Sequence, residues 1–175
     1  MSTKITVTAT IDASIETVWN NWTSPEHIIN WNNASDDWHT PKAENDLRAG
    51  GKFLSRMEAK DGSFGFDFEG IYDLVETHKT IEYTLPDGRH VAIQFQEMGN
   101  QTEVMETFDP ENQNPPELQQ QGWQMILNNF KKYTEKLIKT KSTNLNLNRN
   151  NITQSCRISW GKSFLFHFPN TLLIL

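Results

Sequence analysis

Alternation of apolar and polar side chains predicts β-strands in two parts of the chain. The first alternating stretch is KITVTATI at residues 4–11, which is rich in β-branched residues. Five more follow in the middle of the chain, at residues 51–59, 64–76, 80–85, 90–98 and 102–109. The turns KDGS and PDGR between them carry Asp-Gly, which is typical of tight hairpins. The pattern therefore predicts one strand and, later, an antiparallel meander of five strands, with a bulge at the isolated Gly70.

Apolar side chains at a spacing of three to four residues predict three helices. The stretch DASIETVWNNW, which begins at Asp12, repeats its apolar side chains on one helical face. The stretch SPEHIINW at residues 24–31 begins with Ser-Pro, a common helix start. The longest predicted helix covers residues 115–139, where an apolar stripe runs from Trp123 to Leu137.

Two segments follow neither pattern. Residues 32–50 are polar and rich in turn-forming residues, which predicts a long loop. Residues 141–175 begin with the Asn-rich stretch STNLNLNRNN and later contain the apolar stretch FLFHF. We expect a folded domain at residues 1–140 and an appended tail outside the fold at residues 141–175. A strand-forming or partner-binding tail is the alternative.

Charge and composition restrict the possible partners. Residues 1–140 hold 12 basic and all 22 acidic side chains of the chain, and such an acidic domain repels nucleic acid and anionic membranes. No apolar stretch reaches about 18 residues, so we expect no membrane span. Cys156 is the single cysteine, which excludes an internal disulfide and suits a reducing compartment. With no signal-peptide pattern at the start, we expect a cytoplasmic protein.

Sequence motifs for metal, phosphate or nucleophilic chemistry are missing. No two histidines lie four residues apart, and neither HExxH nor CxxC occurs, so we expect no metal site. The spacing of a phosphate-binding P-loop and the GxSxG turn of many hydrolases are also absent. The sequence therefore predicts no cofactor.

The order of the predicted elements indicates an α+β fold. A strand, two short helices, five antiparallel strands and one long helix would form a six-stranded antiparallel sheet curved around the C-terminal helix. A strongly curved sheet cannot pack closely on a straight helix along its whole length. The remaining gap would be a cavity, where small molecules commonly bind.

The same order resembles a known superfamily over about 140 residues. The likeness rests on ATIDASIETVWNNWTSPEHIINW near the start, DLRAGGKF before the second predicted strand, and ETFDPENQNPPELQQQGWQMILNNFKKYTE at the end. These stretches resemble the START-like (SRPBCC) helix-grip superfamily, whose fold the birch pollen allergen shares. Within it, the chain is similar to the branch related to the C-terminal domain of the activator of heat-shock protein 90 ATPase. The resemblance implies a hydrophobic cavity between the last helix and the sheet. It implies no single activity, because members bind lipids or hormones, act as cyclases or assist chaperones.

Large aromatic side chains are the main candidates for the wall of such a cavity. Trp19 and Trp22 lie at helical spacing and are expected in the core. Trp31, Trp38 and Trp123 lie beside a loop or a helix start, where a pocket would open. The predicted ligand-binding residues are Trp31, Trp38, His39, Phe53, Phe66, Phe68, Phe95, Glu106, Trp123 and Leu127.

Glu106 is the polar candidate with the clearest chemical consequence. In TEVMETFD, alternation places Glu106 on one strand face with Val104 and Phe108, and Met105 on the other. Either face could point inward, and the resemblance favours the face with Glu106. Facing inward, the carboxyl group would lie in an apolar setting, which raises its pKa unless a partner pairs with it.

Three hypotheses for function follow. The first is non-enzymatic binding of a small hydrophobic or amphipathic molecule between the last helix and the sheet. The alternative is a co-chaperone-like protein-interaction module whose partner is a chaperone. An enzyme that uses Glu106 as an acid or base ranks last, because it needs a second group within hydrogen-bond reach. The expected oligomeric state is a monomer or a homodimer.

Overall fold

The structure, a computed structural model, describes residues 3–160 and the side chains of residues 3–143. The described residues form seven strands and three helices. In chain order these are β1 (Ile5–Ile11), α1 (Ile15–Thr23), α2 (Pro25–Ile28), β2 (Trp38–Asn45), β3 (Lys52–Ala59), β4 (Gly65–Glu76), β5 (Thr80–Thr84), β6 (His90–Met98), β7 (Gln101–Phe108) and α3 (Pro116–Trp160).

All seven strands lie in one antiparallel sheet with the order β1-β7-β6-β5-β4-β3-β2. Strands β2 to β7 form a meander, and β1 pairs with β7 at the far edge. The inward side chains of the sheet join Leu127 and Phe130 of α3 in one hydrophobic core. This arrangement confirms the predicted α+β helix-grip architecture. The inner face of the sheet faces α3.

Polar side chains of α3 cover the outer edge of the sheet. The Gln120 side-chain amide donates to the carbonyl oxygen of Thr6 at 3.2 Å, and the Gln124 amide donates to that of Thr8 at 3.0 Å. The Thr8 N–H donates back to the Gln124 carbonyl at 3.4 Å. An unpaired strand edge can pair with another chain, so these contacts protect β1 and fix the helix against it.

The sheet has seven strands rather than the six that the sequence predicts. The additional strand is β2, which lies inside the segment predicted to be a loop. Its Pro41 argues against a strand because proline lacks the N–H of a sheet ladder. However, β2 is an edge strand, and its pairing with β3 shifts register between His39 and Lys42. Proline is tolerated at such a position, which is why the sequence pattern failed here.

The sequence also predicts a bulge at Gly70, and this prediction is wrong because the irregularity of β4 lies further along the strand. The register of β4 against β5 shifts between Tyr72 and Leu74, while Gly70 pairs regularly with Phe53 of β3. A Cβ atom at Gly70 would lie 2.8 Å from Cε1 of Phe53. The glycine is therefore required by the close approach of an aromatic ring and does not mark an irregular strand.

Helix α3 is longer than the predicted helix at residues 115–139. No glycine or proline occurs between residues 123 and 160, so the backbone has no strong helix breaker there. The chain divides into two compact units, Met1–Ile138 and Lys139–Leu175. A tail outside the fold stays a prediction, and the stretch FLFHF lies outside the described residues. Among the described residues, no helical segment combines the length and hydrophobicity that a membrane span requires.

Candidate functional site

A cavity of about 210 Å³ lies in the first unit, bounded by the sheet and by side chains of all three helices. Its wall is mainly aromatic, with additional aliphatic and polar side chains. The aromatic residues are Trp22, Trp31, Phe53, Phe66, Phe68, Tyr72, Tyr83 and Trp123. The aliphatic residues are Ile28, Met57, Ile81, Ile93 and Ile126. The polar residues are Asn32, Glu44, Asn45, Ser55 and Glu106.

Trp31 closes the cavity on the side of the short helices. Its indole N–H donates to the backbone oxygen of Asn21 at 3.0 Å, so the protein itself supplies the acceptor. The ring packs against Trp22 and Phe130, with centroids 5.0 and 4.9 Å apart. Trp22 thus belongs to both the core and the cavity wall, whereas Trp19 is a core residue, as predicted.

Trp123 forms the wall on the side of α3. Its indole stacks on the ring of Phe108, with centroids 4.0 Å apart and an angle of 16° between the planes. Its other neighbour is Phe68, which meets it edge to face at 6.1 Å. Because Phe108 is fully buried, this stack fixes the position of the indole in the cavity wall.

Aromatic rings of β3, β4 and β5 form the opposite wall. Phe53 meets Tyr83 at 4.8 Å and Phe68 at 5.8 Å between centroids. The Phe53 ring lies close to the position that a Cβ atom of residue 70 would occupy, and it fits there because Gly70 has no side chain. One glycine on β4 therefore allows the β3 side of the cavity wall to form.

Glu106 is the buried acidic group of the cavity. It is 5 % exposed and lies on the inward face of β7, between the fully buried Val104 and Phe108. Burial raises its pKa to about 8. Among the residues that the structure describes, none donates a hydrogen bond to this carboxyl group or forms an ion pair with it. At neutral pH it is therefore mainly protonated, and it can both donate and accept a hydrogen bond.

Tyr83 is a second buried polar group without a partner. Burial, together with the nearby carboxyl group of Glu106, raises the pKa of its hydroxyl, which therefore stays protonated at neutral pH. Within the described part of the chain, no hydrogen bond of this hydroxyl acts on its pKa. Because no fully shielded side-chain oxygen there lacks a partner, the hydroxyl oxygen keeps some accessible surface. The cavity thus presents an aromatic hydroxyl and a carboxyl group to any molecule inside it.

Tyr72 differs from Tyr83 because its hydroxyl is paired. It donates to the side-chain oxygen of Asn45 at 2.8 Å, and the Asn45 amide donates to the backbone oxygen of Thr23 at 2.6 Å. Burial raises the pKa of the Tyr72 hydroxyl, so the group remains a donor at neutral pH. This chain of hydrogen bonds joins β4 and β2 to the end of α1 and fixes the wall there.

The rim of the cavity carries exposed aromatic side chains. Phe66 lines the cavity and is 39 % exposed, and Phe64 is 62 % exposed. Trp38 contacts both rings, with centroids 6.0 and 6.2 Å away. The hairpin between β3 and β4 therefore carries exposed apolar surface beside the cavity.

Six of the ten residues predicted to bind a ligand line the cavity. They are Trp31, Phe53, Phe66, Phe68, Glu106 and Trp123. The other four do not line the cavity, because each of them has a different environment. Trp38 lies beside the rim, and His39 faces outward 3.7 Å from the Glu58 carboxylate. Phe95 packs on Trp19 at 5.1 Å, and Leu127 is fully buried in the core.

Sequence reasoning missed several lining residues, for different reasons. The alternation in TIEYTL places Ile81 and Tyr83 on the same strand face, so Tyr83 could have been found. Asn45 could not, because its segment was predicted to be a loop. Ser55 and Met57 alternate on β3, but one small polar and one flexible side chain give no signal for a pocket.

Comparison with known proteins identifies relatives of this chain. The family model described as Activator of Hsp90 ATPase homolog 1-like protein matches residues 12–135. The solution structure of an AHSA1-like protein from Aeromonas hydrophila is 47 % identical, with a TM-score of 0.73, covering 77 % of this chain and 94 % of the other. A solution structure from Cytophaga hutchinsonii is 56 % identical, with a TM-score of 0.68, covering 78 % and 94 %. No curated protein matches the chain.

A more distant structure, from Chromobacterium violaceum, shares the fold. It is 20 % identical, with a TM-score of 0.68, and covers 76 % of this chain and 98 % of the other. At this identity the likeness concerns the fold alone.

Proposed function

Because the chain belongs to the family of Activator of Hsp90 ATPase homolog 1-like proteins and encloses an apolar cavity with a buried carboxyl group, we propose that it binds a small, largely apolar molecule there. Binding without chemical conversion is the simplest use of this site. Fold and family alone do not decide the function, so the proposal depends on the cavity.

The unpartnered carboxyl group of Glu106 is the observation that carries the proposal. A buried polar group without a hydrogen bond destabilises the folded state, and for that reason most such groups have a partner. Glu106 has none within the described part of the chain. Because no fully shielded side-chain oxygen there lacks a partner, the carboxyl oxygens are accessible, and the residue lines the cavity. A bound molecule with one polar group would supply the missing partner and would be oriented by it.

The size of the cavity limits the size of the ligand. An engineered protein cavity of about 150 Å³ holds benzene, so about 210 Å³ suits a molecule of roughly eight to ten non-hydrogen atoms. This is smaller than the usual pocket for a drug-sized molecule. The proposed ligand is therefore a compact molecule with one aromatic ring or a short branched chain, and not a whole lipid.

A chaperone-interacting module is the second candidate. It is favoured by the exposed aromatic side chains of the β3–β4 hairpin, of which Phe64 is the most exposed. The family name points to the same class of partner. The excess of acidic side chains in residues 1–140 would complement a basic surface. This candidate needs the hairpin but not the cavity.

Native mass spectrometry of the full chain, purified from its own cells, tests the proposal. We expect a non-covalent adduct of small mass. Ser55 is a buried, small residue of the cavity wall, so Ser55→Leu would fill the space and abolish the adduct. Ser63→Leu makes the same change at an exposed turn position and is expected to keep the adduct.

Ser55→Leu, together with a third variant, Phe64→Ser, also separates the two candidates. An adduct that survives Ser55→Leu would contradict binding in this cavity. A chaperone interaction that is lost on Phe64→Ser and kept in Ser55→Leu would favour the second candidate.

A further inference from the structure

We infer that the molecule held in this cavity is a small hydrophobic ammonium, that is, an organic cation with compact apolar substituents. The inference rests on the proposed function and adds the charge of the ligand. Three properties of the cavity support it: the sign of its charges, the arrangement of its aromatic rings and the unpartnered carboxyl group.

The ionisable groups of the wall favour a cation. Two lining residues, Glu44 and Glu106, carry carboxyl groups, and none of the lining residues is a lysine, arginine or histidine. Glu44 is exposed and pairs with Lys42 at 2.6 Å, so its charge is largely balanced. Glu106 has no such partner among the described residues. An anionic ligand would meet no positive side chain in this cavity and one buried acidic group.

The aromatic side chains form a continuous panel beside this group. Phe53 contacts Tyr83, Tyr83 contacts Phe68, and Phe68 contacts Trp123, with centroids 4.8, 6.4 and 6.1 Å apart. The face of an aromatic ring carries partial negative charge and attracts a cation within about 6 Å. Cages of such rings are a common means of binding quaternary ammonium groups. A purely apolar ligand would leave the carboxyl group of Glu106 without a partner.

Glu106 would provide the opposite charge beside this panel of rings. Its neighbours in the sheet register are Val7 of β1 and Ile93 of β6, and α3 contributes Trp123 and Ile126 to the wall; none of them is charged. The other titratable groups of the wall are Tyr72 and Tyr83, whose phenols stay neutral, and the exposed Glu44. Arg89 lies outside the wall, and its permanent charge acts on Tyr83. A bound ammonium would therefore act on the titration of Glu106 above all.

Proton linkage gives this inference a distinctive signature. Burial raises the pKa of Glu106 to about 8 in the free protein, so below pH 8 a cation must displace a proton to pair with the carboxylate. The affinity for a permanent cation should then rise about tenfold from pH 6 to pH 7 and level off above pH 8. A neutral ligand of the same shape would show no such rise.

The experiment compares phenyltrimethylammonium with tert-butylbenzene, which has the same shape with carbon in place of the charged nitrogen. Both have ten non-hydrogen atoms. Binding to the full chain is measured by tryptophan fluorescence and calorimetry from pH 6 to pH 9. We expect the cation to bind at least tenfold more tightly than tert-butylbenzene at pH 8. Its affinity should also rise from pH 6 to pH 8 as described above.

Two variants connect this behaviour with Glu106. Glu106→Gln should lose the pH dependence and bind the cation no more tightly than the neutral probe. Glu103→Gln removes an acid from the outward face of the same strand and should behave as the wild type. The pH profile of the wild-type protein is a test that does not depend on the folding of either variant.

The outcomes separate the inference from the proposal on which it rests. Equal, pH-independent binding of both probes would overturn the inference and leave the small-molecule site in place. Both would be overturned if neither probe binds, with the cation tested to millimolar concentration and tert-butylbenzene to its solubility limit in water. A pH-dependent preference for the cation that persists in Glu106→Gln would also overturn the inference, since another group would then hold the charge.

Discussion

The ring of Phe53 lies against the backbone of Gly70 on the neighbouring strand, so closely that a Cβ atom on Gly70 would fall 2.8 Å from Cε1 and 2.9 Å from Cζ of Phe53. The two residues are direct partners in the β3–β4 register. The Phe53 ring in turn contacts Tyr83 and Tyr72, at 4.8 and 5.3 Å. A larger side chain at residue 70 would therefore displace the Phe53 ring and change the wall of the cavity.

Gly70→Ala is expected to destabilise the protein and to distort the cavity. The added methyl group would also lie 2.9 Å from the carbonyl oxygen of Thr84, so the Phe53 ring alone cannot relieve the contact by moving. Overpacking of this kind costs about 1–3 kcal/mol of unfolding free energy. Urea unfolding at constant pH measures the change.

Gly122→Ala is the matched control. Gly122 lies in α3, and a Cβ atom there meets nothing within 4 Å. Alanine in a helix is more favourable than glycine by about 0.5–1 kcal/mol, so this variant should be more stable than the wild type. An equal, small effect of the two substitutions would contradict the role assigned to Gly70.

Gly70 also illustrates how far the sequence determines the fold. Alternation and Asp-Gly turns were enough to predict β3 to β7, because each strand has one buried face and short connections. An isolated glycine in a strand indicates either a bulge or a close contact, and only the position of Phe53 decides between them. Strand β2 was missed because its proline is compatible with an edge strand, and edge position is a property of the whole sheet.

The candidate site was predictable to a similar extent. The predicted ligand-binding residues include five of the eight aromatic residues of the wall, whereas Trp22 was assigned to the core and Tyr72 and Tyr83 were missed. The sequence left open which face of β7 points inward, since Glu106 and Met105 fit the alternation equally well. The inward position of Glu106 follows from the packing of the sheet on α3, which buries the face of β7 that carries Val104 and Phe108.

The stability of the ligand-free protein should fall as the pH rises, because of Glu106. In the folded state burial raises its pKa from 4.5 to about 8. Between these values the folded protein holds a proton that the unfolded chain has lost. The unfolding free energy therefore decreases by up to about 1.4 kcal/mol per pH unit, and the loss is complete above pH 8.

Glu106→Gln removes this contribution, so the wild type should lose stability relative to the variant from pH 5 to pH 8. Urea unfolding at several pH values measures the difference, and other titrating groups cancel in it. The unfolding free energy of Glu103→Gln should change with pH in the same way as that of the wild type. A constant difference between wild type and Glu106→Gln would mean that the carboxyl group is ionised throughout.

Trp123→Ala should destabilise the protein by about 3 kcal/mol. This value is at the lower end of the usual cost of replacing a buried aromatic residue by alanine, because the indole is only partly buried. The loss arises from the stack on Phe108, at 4.0 Å. Trp123→Phe keeps a ring at this position and should recover most of the stability. Thermal unfolding followed by circular dichroism measures both variants. A loss below about 1 kcal/mol would make Trp123 a cavity wall without a structural role.

The two tyrosines of the cavity should respond differently to removal of their hydroxyl groups. Tyr72→Phe breaks the hydrogen bond to Asn45 and leaves the amide oxygen without its donor, so we expect a loss of about 1–2 kcal/mol in unfolding free energy. Tyr83→Phe removes a buried hydroxyl that has no partner among the described residues, so the ligand-free protein should keep its stability or become more stable. Urea unfolding of the two variants under the same conditions makes the comparison, since both changes delete one oxygen from a buried ring. A larger loss for Tyr83→Phe than for Tyr72→Phe would mean that the Tyr83 hydroxyl is bonded within the free protein, and it would then not be available to a ligand.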